Sequence, residues 1–277
     1  TKGVGCLNIG EIQTENILKI NRIDTGYIKV VGSINLKRDA LMLENGKIEV
    51  GGDFNSQYPA SLKMEDESGY ILVNGNLNID NCNYSGQSYL CAGTLEVKGD
   101  FTEDISDYDV KTELSDGFSK MNIILSGDKI QKVNITKPFN HKFINDSKNE
   151  TYGSLCNLKV TGKGITSETG LNIYELESDL KIEGDLPYLY IHGWNGKKIE
   201  CEGDITLQGN QSIDGSIMVN GNLNIDGTMN MVDDARMIIE KDMILNPSSA
   251  ERFSVGKGRI EVGGDFNSQY PASLKME

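Results

Sequence analysis

The sequence predicts an all-β chain wound as a right-handed parallel β-helix, a β-solenoid of about eleven coils of roughly 20–24 residues each. Three observations carry this. A corner motif recurs along the whole chain, clearest in Lys47-Ile48-Glu49-Val50-Gly51-Gly52-Asp53-Phe54. The corner glycines (Gly32, Gly52, Gly75, Gly99, Gly127, Gly162, Gly184, Gly203, Gly221, Lys241 in the same slot, and Gly264) are spaced 18 to 35 residues apart, mostly near 20. No stretch sustains the 3.6-residue period of a helix, and the leucine-rich-repeat frame is missing.

Each motif reads as two short strands meeting at a bend. Period-2 alternation sends Ile48 and Val50 to one face and Glu49 to the other. Glycine accepts positive φ, and Asp or Asn caps the turn with its own side chain, so alternation restarts inward at Phe54. Taken in order, Leu7-Asn8-Ile9 and Ile28-Lys29-Val30 already alternate like later strands. Ser61-Leu62-Lys63-Met64 gives a further strand. Val73 to Asp80 then returns letter for letter at Val219 to Asp226. Inward positions such as Ile48, Leu72 and Leu95 are expected to stack coil on coil. Regularity breaks at 102–120, which carries Glu103, Asp104, Asp107, Asp109, Glu113 and Asp116, and again at 134–156. Both read as loop insertions into one solenoid domain spanning 1–277. From Leu158 the coils tighten again.

Composition bounds the function. Apolar residues make up 38% and aromatics 7%, so the core is thin and aliphatic, and 31 glycines against 5 prolines suit many tight turns. A net charge of −14 makes the chain a poor partner for nucleic-acid phosphates and a better one for a cation, a basic protein or a neutral glycan. No apolar run reaches the length of a membrane helix. No signal peptide is evident and the chain opens at Thr1, which reads as a mature or excised segment. The five cysteines (Cys6, Cys82, Cys91, Cys156, Cys201) form no CxxC pair. They read as small inward hydrophobes, with Cys82 and Cys91 as the one local disulfide candidate.

The Gly-Asp/Asn-apolar coils, separated by excursions of the Gly127-Asp128-Lys129-Ile130-Gln131-Lys132-Val133 type, resemble repeats of large secreted bacterial surface proteins. Those proteins form adhesin-like or haemagglutinin-like β-helical stalks. The resemblance implies a structural or adhesive role outside the cell or at its surface, with host or matrix glycan or protein as partner. It implies no catalytic residue. The alternative is a carbohydrate-active β-helix enzyme, a polysaccharide lyase or hydrolase using acids of 102–116. A glycosidase needs two carboxylates at a set separation, and no spacing here selects a pair. No nucleophile elbow accompanies His141 or His192, and Gly162-Lys163-Gly164 lacks the P-loop frame.

The corner acids are the most regular polar feature. Asp53, Asp100, Asp128, Asp185, Asp204, Asp242 and Asp265, with Asn76 and Asn222, fall at equivalent positions. Stacked carboxylates about 5 Å apart repel, and Ca2+ would relieve that, which makes Asp53, Asp100, Asp128, Asp185, Asp204 and Asp265 the candidate metal ligands. The competing expectation is that each caps its own turn. Trp194, in His192-Gly193-Trp194-Asn195-Gly196, is expected on the outside of a coil, where it could also stack on a sugar.

Finally, residues 258–277 repeat 46–65 with one change, Lys47 to Arg259, at an offset of 212. Surface letters are kept along with core ones. This suggests a window on a longer array, or a coil marking the junction between units. Unpaired strand edges at the ends are templates for further strands, so end-to-end stacking of the chain with itself is expected.

Overall fold

The alternation read in the sequence becomes stacking between coils. The computed structural model describes residues 6–9, 12–14, 27–37, 40–43, 46–57, 61–64, 66–80, 92–104, 120–135, 142–144, 150–152, 155–232, 234–246, 253–268 and 274–276. Among these no residue is helical. Two long parallel sheets, of thirteen and twelve strands, face each other along a β-solenoid, with shorter sheets closing its sides. At a strand spacing of about 4.8 Å, thirteen strands span roughly 58 Å. The eleven corners undercount the rungs slightly, because the first sheet also takes the strands Cys6–Ile9 and Leu171–Leu176.

Register places like on like. In the first sheet Ile28, Ile48, Ile71, Leu95, Ile123 and Leu158 stack on successive coils, as do Val30, Val50, Val73, Val97, Leu125 and Val160. In the second sheet Ile34, Phe54, Leu77, Phe101 and Val133 do the same. Ile48, Val50, Val73, Leu77, Val97, Phe101, Ile182, Val219 and Ile225 are all buried, as expected. Leu72 is not. It lies between Glu49 and Glu96 on the outer face, while Ile71 and Val73 point inward. The inward positions are the second and fourth before each corner glycine, which selects 71 and 73 before Gly75.

The two sheets exchange roles partway along the rod. Up to Gly162, the tight corner carries each strand of the first sheet into the second, for example Lys47–Val50 into Phe54–Gln57. The return runs through a third strand, Ala40–Leu43 in one coil and Ser61–Met64 in the next. From Gly184 onward the tight corner carries the second sheet into the first, as Lys198–Cys201 into Ile205–Gln208. The third strands Gln211–Ile213, Met229–Met231, Phe253–Gly256 and Leu274–Met276 now lie on the other return. The switch uses strands with no third segment between them: Leu155–Val160, Ile165–Thr166, Leu171–Leu176 and Leu180–Ile182 alternate directly between the sheets. A tight turn at Ser167 to Gly170 permits this, with Gly170 at φ 83° and the Ser167 hydroxyl donating to the Gly170 carbonyl at 3.2 Å.

Trp194 does not cover the outside of a coil. It is 1% exposed, in the turn between Leu186–Gly193 and Lys198–Cys201, where the next coil inserts its strand Gln211–Ile213. The apolar ring therefore serves as core where a strand is lacking. Cys156 and Cys201 are both buried in the core, and burial pushes the Cys201 thiol up to about 11. Cys82 and Cys91 lie outside the described residues. Of the two insertions, 102–104 and 134–135 still belong to parallel strands, and Lys142–Ile144 pairs antiparallel with Glu150–Tyr152. Residues 105–119 lie outside the described residues.

The repeated segment occupies two different environments. Lys47–Val50 is in the first sheet and its twin Arg259–Val262 in the second. Phe54 is fully buried under the next coil, whereas Phe266 is 46% exposed at the last one. We therefore expect Phe54→Ala to cost about 3–5 kcal/mol and Phe266→Ala less than about 1 kcal/mol, measured by chemical denaturation in dilute solution. Equal costs would mean that the last coil is covered.

Candidate functional site

The corner residues form two hydrogen-bonded ladders, one on each edge of the rod. Each rung joins a side-chain oxygen of one coil to the backbone amide of the next. In the first ladder Asp53 N–H donates to Ser33 Oγ at 3.0 Å, Asn76 N–H to Asp53 Oδ1 at 2.7 Å and Asp100 N–H to Asn76 Oδ1 at 2.8 Å. In the second, Asp204 N–H donates to Asp185 at 2.8 Å, Asn222 N–H to Asp204 at 2.7 Å, Asp242 N–H to Asn222 at 3.1 Å and Asp265 N–H to Asp242 at 2.8 Å. The acids thus reach past their own turns. They cap the following coil.

This geometry explains the glycine. Positive φ is not the reason, since of the corner glycines only Gly184 has it, at 78°. Close approach is the reason. A Cβ at Gly75 would lie 2.4 Å from Asp53 Oδ1 and 2.6 Å from the Gly52 carbonyl carbon, and one at Gly203 would lie 2.2 Å from Asp185 Oδ1. The glycine amides complete the contact, as Gly75 N–H donates to the Gly52 carbonyl at 3.0 Å. Lys241 is the one corner without glycine, and the rung leaving it is the longest of the second ladder, at 3.1 Å.

Asp128 stands outside the ladder. By register its corner is four residues longer, so Lys132 N–H rather than Asp128 N–H reaches Asp100 Oδ1, at 2.8 Å. The buried Gln131 fills the gap. Its amide donates to the carbonyls of Val97 at 3.1 Å and Gly99 at 2.5 Å, and accepts from Gly127 N–H at 2.7 Å. The sequence signal was present, as a polar residue standing where the alternation calls for an inward one, but it was read as part of an excursion.

Could the ladders hold a metal? The Oδ1 atoms of Asp53, Asp100, Asp185, Asp204 and Asp242 are each committed to an amide N–H. Asp204 Oδ2 also accepts from the Asn222 side chain at 3.1 Å. The Asn222 amide, with help from the Lys241 charge, holds the Asp204 carboxyl below its ordinary range. Among the described residues no group of three or more His, Cys, Asp or Glu side chains is placed to hold a metal ion.

The outer faces carry ladders too. Asn55 and Asn78 donate in turn to Asn35 and Asn55, each at 2.8 Å. Lys47 lies over both the Tyr27 and Tyr70 rings, at 5.9 and 4.7 Å from their centroids. Glu49 accepts from the Tyr27 hydroxyl and from Lys29, and both hold its carboxyl below the usual range. His192 stacks on Tyr174, with centroids 5.0 Å apart, and His141 lies outside the described residues. Where the first ladder ends, a cavity of about 220 Å³ is lined by Asp179, Lys181, Lys198 and Glu200 beside Gly162 and Gly164. Its carboxylates are engaged: Asp179 accepts from Lys198 N–H at 2.9 Å and Glu200 pairs with the Lys198 ammonium. Of the acids proposed for glycan chemistry, Glu103 is buried at 4% exposure, Asp104 lies on the same strand, and 107–116 lie outside the described residues. Comparison with protein-family models, curated proteins and solved structures finds no match.

Two expectations follow. Gly203→Ala drives a Cβ into Asp185 Oδ1 and backbone, and should cost about 1–3 kcal/mol with loss of local amide protection. Gly184→Ala meets no atom within 4 Å and should cost only the positive-φ strain of about 1–2 kcal/mol. Asp204→Asn keeps the accepting oxygen, as Asn76 and Asn222 do. Because the Asp204 pKa is depressed on folding, its contribution is present above the unfolded value of 3.8 and is lost as pH falls further. Asp204→Asn should therefore be slightly less stable than the parent at pH 7, lose less stability on acidification, and approach the parent below about pH 4. Asp204→Ala should lose about 1–3 kcal/mol at pH 7.

Proposed function

We propose that this chain is a structural and adhesive β-solenoid segment of a bacterial extracellular or cell-surface protein, a stiff scaffold rather than an enzyme. One observation carries the reading. The regular polar side chains at the corners of the rod are spent on its own ladders, coil to coil. The resemblance of the Gly-Asp/Asn coils to secreted bacterial stalk repeats supports the location. The acidic charge of −14 supports a basic protein or a neutral glycan as ligand. Insertions on a rigid scaffold are where contacts concentrate, so 105–119 and 136–141 are the segments offered to a partner.

The test combines a glycan and matrix-protein binding array with a depolymerisation assay on acidic polysaccharides. The expected result is retained binding without turnover. A variant with 105–119 replaced by a short Gly-Ser linker should keep its strand circular dichroism and lose the binding. Chain shortening of any polysaccharide would replace the scaffold reading with that of a carbohydrate-active enzyme.

A further inference from the structure

We propose that a groove along the third strands of the second half, floored by Gln211, is a binding site for a neutral oligosaccharide. The groove offers about 450 Å³, the size of a small-ligand site. Gln211 lies between the exposed Asn210 and Ser212, and Thr228, Asn230 and Ser254 extend the lining. Ser212, Asn230 and Ser254 stand in register on successive coils. The Thr228 hydroxyl donates to Asn210 Oδ1 and ties two of those coils together at the margin of the groove. Next to Asn210 the Tyr190 ring packs against Gly209, where a Cβ would lie 3.1 Å from its Cδ2 and Cε2. Among the described residues that line the groove none is charged.

The glutamine on the floor points to a ligand by itself. Gln211 is 5% exposed and occupies an inward position, in register with the apolar Met229 and Phe253. Its Nε2 donates to the Leu189 and Gln208 carbonyls at 2.8 and 3.1 Å. Its Oε1 is buried and has no protein partner. The other buried glutamine, Gln131, shows the complete set, donating to the Val97 and Gly99 carbonyls and accepting from Gly127 N–H. Gln211 makes the same two donations and lacks the third bond. A buried carbonyl oxygen without a donor is costly, and a donor brought by a ligand removes that cost. The lining decides what kind of donor. An ion would lose its water here with no opposite charge to meet it, which disfavours an ammonium or an acidic sugar. Hydroxyl and carboxamide side chains both donate and accept, and the hydroxyls of a neutral sugar do the same. The half-buried Tyr190 ring beside Asn210 adds an apolar surface of the kind a sugar ring packs on.

This goes beyond the scaffold reading and does not rest on it, since the groove lies apart from the insertions offered to a partner there. Replacing 105–119 leaves the groove intact, so saccharide binding here should persist in that variant even where array binding through the insertions is lost. The test is a heteronuclear NMR titration of the 277-residue chain with maltotetraose, cellotetraose and mannotetraose. Tetragalacturonate serves as the acidic probe and tetraglycine as the peptide probe. At least one neutral saccharide should shift the Gln211 side-chain amide and the backbone amides of Asn210, Ser212 and Asn230, and the shifts should saturate. Tetragalacturonate and tetraglycine should leave them unmoved. Asn230→Ala, at an exposed position, should keep the fold and weaken saccharide binding at least about fivefold. Gln211→Met, which fills the same space without the free oxygen, should weaken it at least as much. If Gln211→Met disturbs the core, Asn230→Ala still decides the outcome. Absence of shifts with all three saccharides, stronger binding of either control probe, or a parent-like affinity in Asn230→Ala would each overturn the proposal.

Discussion

The rod depends on one close contact, the approach of each corner to the corner beneath it. There the backbone of one coil passes within hydrogen-bond reach of both a carbonyl and a side-chain oxygen of the coil before. At most corners a Cβ would crowd it, which is why glycine recurs, and at Lys241 the rung forms at a longer 3.1 Å. The acceptor must be short and carry an oxygen at the right reach, which is why Asp, Asn and once Ser recur after it. A carboxylate makes the stronger rung because a charged acceptor strengthens an amide hydrogen bond. An amide acceptor makes the same rung without adding charge. Interleaving Asn76 and Asn222 among the acids holds down the repulsion that an unbroken carboxylate column would build up.

That contact also explains how the fold tolerates its own irregularities. A ladder is a nearest-neighbour device, so it can end at Gly162 and restart on the opposite edge at Gly184 without disturbing coils farther away. The strands keep their direction within each sheet throughout, so moving the tight corner only requires moving the third strand to the other return. The direct turns between 155 and 182 make that exchange, and Trp194 supplies apolar volume where no third strand is present. A near-identical sequence can then lie with its strands in opposite sheets, as 47–57 and 259–268 do, because the local corner is the same in both.

Most of the architecture was legible from alternation and corner spacing, since both are consequences of a backbone period of two and a close corner approach that favours glycine. The sheet exchange was not legible. The corner motif is identical before and after it, and only long-range pairing reveals which sheet each strand joins. Leu72 was misassigned because apolar residues run consecutively through Ile71-Leu72-Val73, so hydrophobicity alone does not fix the phase, whereas counting back from Gly75 does. Trp194 was misjudged for a related reason: its neighbours are polar, and nothing local signals that its coil lacks a strand. At the corners the right residues were identified with the wrong partner. A side chain capping its own turn and one capping the next coil leave the same trace in sequence, and only Asp128, four residues out of frame, could have told them apart.

The most direct measurement is residue-resolved hydrogen exchange at the corner amides. Asn76, Asp100, Asp204, Asn222 and Asp265 lie at bends on the surface of the rod, where a turn amide facing water exchanges freely. If side-chain oxygens of the preceding coil hold these amides, they should exchange as slowly as the neighbouring strand amides. Protection at Asn222 should fall selectively when residue 204 loses its oxygen. Exchange at free-turn rates in the intact protein, with the strands still protected, would contradict the account.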